Sequence, residues 1–402
     1  MLSLHCNFTI MDRFYQIHFE LLESVRAPIT RELKNEINWN DRLIGIKGTR
    51  GIGKTVFLLD YIKTTFGNDK SCLYINLNTF YFSNHSLVDF ADEFRKIGGK
   101  TLVLDQVFKY PDWSKALREI YDKYPDLQVI FTGSPVMRLK EDNSDLDGIV
   151  SAYHLRGLSF REYLNFKTAN TFNKYSLDDI LTYHTEIAKD ILFKTKPLAF
   201  FDEYLKSGFY PFFTENLNFN ENIIKIVNLT LEIDIPYLQQ MELKYLPKLK
   251  KLINELSEDM PHTPNISQLS NSIETSRATV MNYLKYLRNA RLINMIYQED
   301  EDDNKKPDRI YLKNPNLLYA IPMQEPTKKA LWETYFLNQL KKGHRVYSTE
   351  NEDEFLVDNK LLFKIVDNDI DNNVKENSYL AVGMDEVGEE NNIPLWLFGF
   401  LY

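Results

Sequence analysis

Gly48-Thr49-Arg50-Gly51-Ile52-Gly53-Lys54-Thr55 carries the clearest chemistry in this chain. It fits the spacing G-x-x-x-x-G-K-[ST] at every fixed position, the pattern of a loop that wraps a phosphate. Glycines let successive backbone N–H groups turn inward around an anion, where a Cβ would obstruct them. Lys54 can reach the β- and γ-phosphates of a nucleotide, and the Thr55 hydroxyl can hold a magnesium ion, Mg²⁺. A helix that starts here turns its positive end on the same anion. The expected nucleotide-binding residues run from Gly48 through Thr55 to Val56, with ATP and Mg²⁺ as the ligands.

The flanking segments have to position that loop. Arg42 to Lys47 reads as a short buried strand entering it, and Val56 to Ile62 as a helix leaving it. Before them, Met11 to Val25 has apolar residues at helical spacing, and Arg31 to Ile37 suggests a second short helix. After them, strands alternate with helices, the pattern of a parallel sheet. The expected strands are Cys72 to Leu77, Thr101 to Asp105, Leu127 to Gly133 and Ile149 to Leu155. The expected helices are Leu87 to Ile97 and Asp112 to Tyr124. Ligands of such sheets sit at the carboxyl ends of the strands, where the loop, Asp105 and Thr132 all fall. Asp105 closes an apolar strand, the Walker B position, so its expected role is to hold Mg²⁺ directly or through water.

At 402 residues the chain has room for several cores. The longest apolar stretch, Ile393 to Tyr402, is too short to span a bilayer and reads as a buried terminal strand. Met1 to Ile10 lacks a basic start and a long apolar core, so no secretory signal is expected. Two cysteines, Cys6 and Cys72, exclude a four-cysteine zinc site and a disulfide framework, and a cytoplasmic setting is expected. The net charge of −9 argues against coating nucleic acid through bulk electrostatics.

Beyond Leu155 the texture changes. Asp178 to Lys194, Phe200 to Ser207 and a glycine-free run from Asn220 to Leu256 read as helical, as in an all-α lid. Ile266 to Tyr297 resembles a winged helix, with Arg277, Lys285 and Arg288 able to face phosphates. Its wing tip would be Glu299 to Asp303, which repels DNA, so packing or protein contact is the preferred use. From Ala330 the chain reads as mixed α/β: a helix over Leu331 to Lys341, then strands at Arg345–Tyr347, Phe355–Val357, Leu361–Ile365 and Tyr379–Val382.

Several segments together resemble a known family. They are Leu43 to Thr55, the Asp105 strand with Lys109-Tyr110-Pro111-Asp112-Trp113, Tyr124 to Ser134, and Leu158-Ser159-Phe160-Arg161-Glu162-Tyr163-Leu164. In this order they are similar to the prokaryotic AAA+ ATPases that carry a C-terminal DUF4143-type region. The resemblance implies an α/β fold: an AAA+ P-loop parallel-sheet core, a helical lid, a winged helix and a C-terminal α/β domain like restriction endonucleases. The corresponding boundaries are a lead-in over 1–40, the core over 41–165, the lid over 166–256, the winged helix over 257–325 and the last domain over 326–402. It also implies Thr132 or Ser134 as the polar sensor of the γ-phosphate.

The departures from the family pattern decide the expected function. The family has Asp-Glu after the third strand; here the pair is Asp105-Gln106. Glutamine keeps the shape but cannot accept a proton, and loss of a general base costs about 10²–10⁴ in rate. The family's histidine two residues further on is Phe108, and its basic pair before the fifth strand, a candidate arginine finger, is replaced by Asp147-Gly148-Ile149. Loss of such an arginine costs roughly 10³–10⁵. The three changes together suit a natural degenerate relative better than an engineered trap. In the last domain Glu354 could supply one nuclease acid, but the next strand gives Lys364-Ile365-Val366, with a cation where a metal-binding acid belongs.

The expectation is an ATP-binding switch with slow or absent hydrolysis, Gln106 standing in the catalytic position. Alternatives are a DNA- or protein-binding scaffold with a vestigial nucleotide site, or a working ATPase using Asp112 or Glu141. Arg138 or Arg156 could replace the missing finger.

Overall fold

A computed structural model describes residues 9–134, 137, 144–215, 218–299, 305–351, 353–367 and 377–402. Arg138, Glu141, Cys6 and positions 300–303 of the expected wing tip lie outside the described residues. The chain divides into two compact units, one ending at Arg156 and the other running from Gly157 to Tyr402.

The first unit opens with α1 (Ile10–Ser24), started by a capping box in which Thr9 and Asp12 satisfy each other's backbone N–H groups. A short α2 (Leu33–Glu36) follows. Then β1 (Leu43–Lys47), α3 (Lys54–Thr65), β2 (Cys72–Asn76), α4 (Leu87–Lys96), β3 (Thr101–Asp105), α5 (Trp113–Lys123), β4 (Gln128–Gly133) and β5 (Ser151–His154) alternate. Every strand pair is parallel, in the order β2-β3-β4-β1-β5. Strand β3 is buried at all five positions and β1 at its first four, which is why both read as continuous apolar runs rather than as alternation.

This order sets the loop after β1, the end of β3 and the end of β4 side by side. Thr132 lies opposite Ile46, and Asn76 lies opposite Asp105. At the β2 edge, the Tyr74 N–H donates to Nδ1 of the buried His18 on α1 at 3.0 Å, so the lead-in helix satisfies a backbone donor on this edge strand.

The second unit begins with α6 (Phe160–Thr168), whose start is a Ser159–Glu162 capping box. That box accounts for Ser159 and Glu162 in the Leu158 to Leu164 run: they close a helix N-terminus. Arg161 in the same turn is 5 % exposed and donates to the carbonyls of Phe172 and Tyr402, both at 3.0 Å. Next come α7 (Leu177–Leu192), α8 (Leu198–Glu203), α9 (Phe219–Leu229), α10 (Ile235–Gln239), α11 (Leu246–Glu258), α12 (Ile266–Ser272) and α13 (Arg277–Asn289). An antiparallel pair, β6 (Ile293–Ile296) and β7 (Arg309–Leu312), precedes α14 (Pro315–Ala320) and α15 (Lys328–Leu340).

The last sheet holds β8 (Val346–Ser348), β9 (Glu354–Val357), β10 (Leu361–Val366), β11 (Ser378–Val382) and β12 (Asn392–Pro394) in the order β12-β11-β10-β9-β8. Its β8, β9 and β10 are antiparallel neighbours, while β10, β11 and β12 run parallel. Residues Ala330 to Leu340 of α15 are all buried. Phe336 packs edge-on against Phe398 and tilted against Phe363, joining helix, sheet and C-terminal segment in one core.

The run from Asn220 to Leu256 is helical, as expected, but in several pieces. It breaks at a π-type turn over Thr230–Asp234, at Gln240 in the left-handed region (φ 50°), and at Pro236 and Pro247, which sit where new helical turns start. The terminal stretch is buried as expected but is a strand only to Pro394. A 3₁₀ turn from Leu395 to Phe400 follows, with Gly399 packed so closely that a Cβ would lie 2.3 Å from the Tyr335 hydroxyl.

Candidate nucleotide site

The loop between β1 and α3 has the backbone that its glycines permit. Gly53 caps α3 at φ 85°, in the left-handed region. A Cβ on Gly48 would meet Ile52 Cδ1 at 2.4 Å and the Leu155 carbonyl at 2.5 Å. Ile52 is fully buried, and its carbonyl accepts from the Arg31 guanidinium at 3.1 Å. The Lys54 ammonium is held along the loop, donating to the Gly48 and Thr49 carbonyls, both at 2.8 Å. Arg50, Gly51 and Val56 lie on the accessible side of the loop and first helical turn, with Val56 39 % exposed.

Asp105 is the centre of a convergence of hydroxyls. It is 1 % exposed. Thr55 Oγ1 donates to its Oδ2 at 2.6 Å, and the Tyr74 hydroxyl donates to the same oxygen at 2.8 Å. Thr132 Oγ1 and the Gln106 N–H, the latter at 3.0 Å, donate to Oδ1. A buried carboxylate is costly unless hydrogen-bonded, and these four donors supply that compensation. Burial first, then the Asp105 charge, pushes the Tyr74 phenol well above its ordinary value, so it acts as a donor.

Gln106 itself is left-handed, at φ 56° and ψ 47°, an uncommon conformation for a residue with a Cβ. Its N–H, shared between Asp105 Oδ1 and Thr132 Oγ1 at 3.0 Å each, holds it there. Phe108 is buried, while Asp147 and Gly148 are exposed. Asp112 precedes α5 without a side-chain capping bond, and its side chain is largely exposed, 3.4 Å from Lys115.

These residues suit Mg²⁺: they are hard oxygen donors, few in number. Thr55 gives its proton to Asp105, which leaves the hydroxyl lone pairs for a cation. Among the described residues no group of three or more His, Cys, Asp and Glu could hold a metal. Mg²⁺ does not require one, because it keeps waters and draws its other ligands from substrate phosphates.

The structure brings Lys54, Thr55, Asp105, Gln106 and Thr132 of the expected set together. Ser134 follows β4, is 3 % exposed, and donates its N–H to Met137 Sδ at 3.3 Å. Tyr74 is the site residue that sequence reading missed. Its only local signal is its place on β2, two residues before Asn76, and the pairing of β2 with β3 is needed to give that place meaning.

A parallel sheet with a phosphate loop after its first strand and a buried aspartate at the end of another defines a P-loop α/β domain. Residues 40–164 match the family model of an AAA domain, AAA_14. Residues 199–327, from α8 through α14, match DUF8612, a domain of unknown function. An uncharacterized protein of Methanocaldococcus jannaschii, MJ1637, is 24% identical over 326 residues, which cover 76% of this chain and 66% of that protein. The chain thus spans about two thirds of this relative's length. Among solved structures, Aeropyrum pernix ORC1 in complex with DNA matches at 13% identity and TM-score 0.29, over 81% of this chain and 94% of that one. AMPPCP-bound DnaA from Aquifex aeolicus matches at 13% identity and TM-score 0.24, over 71% and 93%. No described helix is long and apolar enough to cross a membrane.

Proposed function

We propose that this protein binds ATP with Mg²⁺ and uses it as a conformational switch, with slow or absent hydrolysis. The observation that carries the reading is the Thr55–Asp105–Thr132 set beside Lys54 at the carboxyl ends of neighbouring strands. Lys54 and the loop N–H groups would hold the phosphates, and Thr55 would hold Mg²⁺ with Asp105 reaching it directly or through water. The ion, when bound, neutralises phosphate charge. Thr132 and Ser134 are the candidate γ-phosphate sensors.

Gln106 supports weak turnover, because an amide in the general-base position orients water without taking its proton. Ligand-dependent switching then requires that the γ-phosphate contact two domain arrangements differently. The helix-turn-helix of α12 and α13 with the β6–β7 pair we read as a winged helix used for a protein partner, with DNA less favoured. We read 326–402 as an inactive DUF4143-type, endonuclease-like domain: Glu354 stands opposite Lys364 in the β9–β10 register, with a cation where a second metal-binding acid belongs. A cytoplasmic location fits this reading.

The test is calorimetric titration with ATP–Mg²⁺ and phosphate release on one preparation, beside Lys54→Ala and Gln106→Glu. Micromolar binding lost in Lys54→Ala, with little release from wild type, is expected. Ordinary phosphate release from wild type would overturn the switch, and no binding would make the loop a relic.

A further inference from the structure

Asp105 has no lone pair to spare. A carboxylate offers about four acceptor directions. The Thr132 hydroxyl and Gln106 N–H take two on Oδ1, and the Thr55 and Tyr74 hydroxyls take two on Oδ2. Three of these donors belong to the phosphate loop, the end of β3 and β4. Tyr74 enters from the other side, from β2. Asn76 is opposite Asp105 in the register, which makes Tyr74 a diagonal neighbour on the same face, within reach of a long aromatic side chain. Tyr74 is 2 % exposed, and its backbone N–H is tied to His18 at 3.0 Å. Its hydroxyl is thus held in place by the sheet and by α1.

We propose that Tyr74 tunes how this site takes its divalent cation: it competes for Asp105 Oδ2, leaving Thr55 as the protein oxygen that meets the ion. This rests on the nucleotide reading above. An ion, or a water in its shell, that draws on Asp105 must displace one of four donors. Removing the Tyr74 hydroxyl leaves the β4 hydroxyl and the Gln106 amide in place, and takes from the Thr55 and Asn76 side chains only a secondary contact. It is a positioning residue: it acts on the ion through Asp105.

The experiment is ATP titration of the full chain at a series of Mg²⁺ concentrations. Tyr74→Phe keeps the ring and removes the competing hydroxyl. It is expected to lower the Mg²⁺ concentration for half-maximal ATP binding by about tenfold, the size of one hydrogen bond to a charged group. ATP affinity in excess chelator stays as in wild type. In an Asp105→Ala background most of that shift is lost, because the charged acceptor is gone and only the Thr55 and Asn76 contacts remain. An unmoved or raised Mg²⁺ midpoint in Tyr74→Phe overturns the inference.

If Tyr74→Phe does not fold, Asp105→Asn carries the test. A carboxylate kept behind its donors acts on the ion at second hand, so the midpoint rises by about 10–100-fold. A rise far beyond that range, as for loss of a direct ligand, overturns the inference. Wild type that takes no ATP at saturating Mg²⁺ defeats the nucleotide reading and this inference with it. ATP binding with an unmoved midpoint defeats the inference alone.

Discussion

Thr55 Oγ1 donates to Asp105 Oδ2 at 2.6 Å, joining residues 50 positions apart in the chain. The bond ties the first turn of the loop helix to the end of β3. It also turns the Thr55 proton inward, so that the hydroxyl presents only lone pairs elsewhere. Thr55→Ala removes one of four donors from a buried carboxylate. Unfolding measurements are expected to show a loss of about 1.5–3 kcal/mol, and ATP titration a weaker dependence on Mg²⁺. Thr55→Ser, which keeps the hydroxyl, should recover most of both.

Gly48 is constrained by contact rather than by dihedral angle. A methyl group there would press on Ile52, which can shift, and on the Leu155 carbonyl, which belongs to the backbone. Gly48→Ala should therefore lose about 1–3 kcal/mol of stability, as for other overpacked sites. A thermal unfolding curve identical to wild type would mean that the loop yields freely at this point.

His18 makes the first unit acid-sensitive. Burial holds its pKa down at about 4, below the ordinary value of 6.5, and its Nδ1 accepts the Tyr74 N–H. Because the folded value lies below the unfolded one, the contribution is present above pH 6.5 and is lost as pH falls toward 4. The full span amounts to roughly 3 kcal/mol. His18→Gln retains an acceptor but no titration. It should flatten the fall of unfolding free energy across that window, and an unchanged slope would show that other groups cause it.

Glu333 in the second unit runs the other way. It is 2 % exposed and accepts from the Tyr311 hydroxyl at 2.7 Å, with Lys329 at 3.9 Å. Burial raises its pKa despite the Tyr311 bond and the nearby cations. A carboxyl with a raised folded pKa costs stability as pH rises through that value, because the unfolded chain ionises first. Glu333→Gln should therefore gain on wild type as pH rises above 4.5 in chemical denaturation. A relative loss over that range would mean that Lys329 and Arg309 outweigh burial.

Much of the first unit was legible because its signals are local. The loop spacing, the buried run before it and the apolar strand ending in Asp105 each lie within a dozen or so residues, and the elements formed within about two residues of expectation. Helix α13 was legible for the same reason, with Ser276 as its cap and apolar residues at helical spacing. The run over 220–256 was legible as helical, but the points where two prolines and a left-handed Gln240 divide it were not.

By itself, then, the sequence determined the glycine-rich loop spacing and the apolar strand ending in Asp105, with Gln106 and Phe108 after it. Those are matters of residue type at fixed spacing. The tertiary structure alone decided which hydroxyls surround Asp105. Strand order places β4 between β3 and β1, and strand register sets Asn76 against Asp105 and so Tyr74 on its diagonal. Order and register come from pairing between distant segments, which no local period records. For that reason Thr132 was expected from its place at a strand end, its sensor role from a resemblance, and Tyr74 was not expected at all.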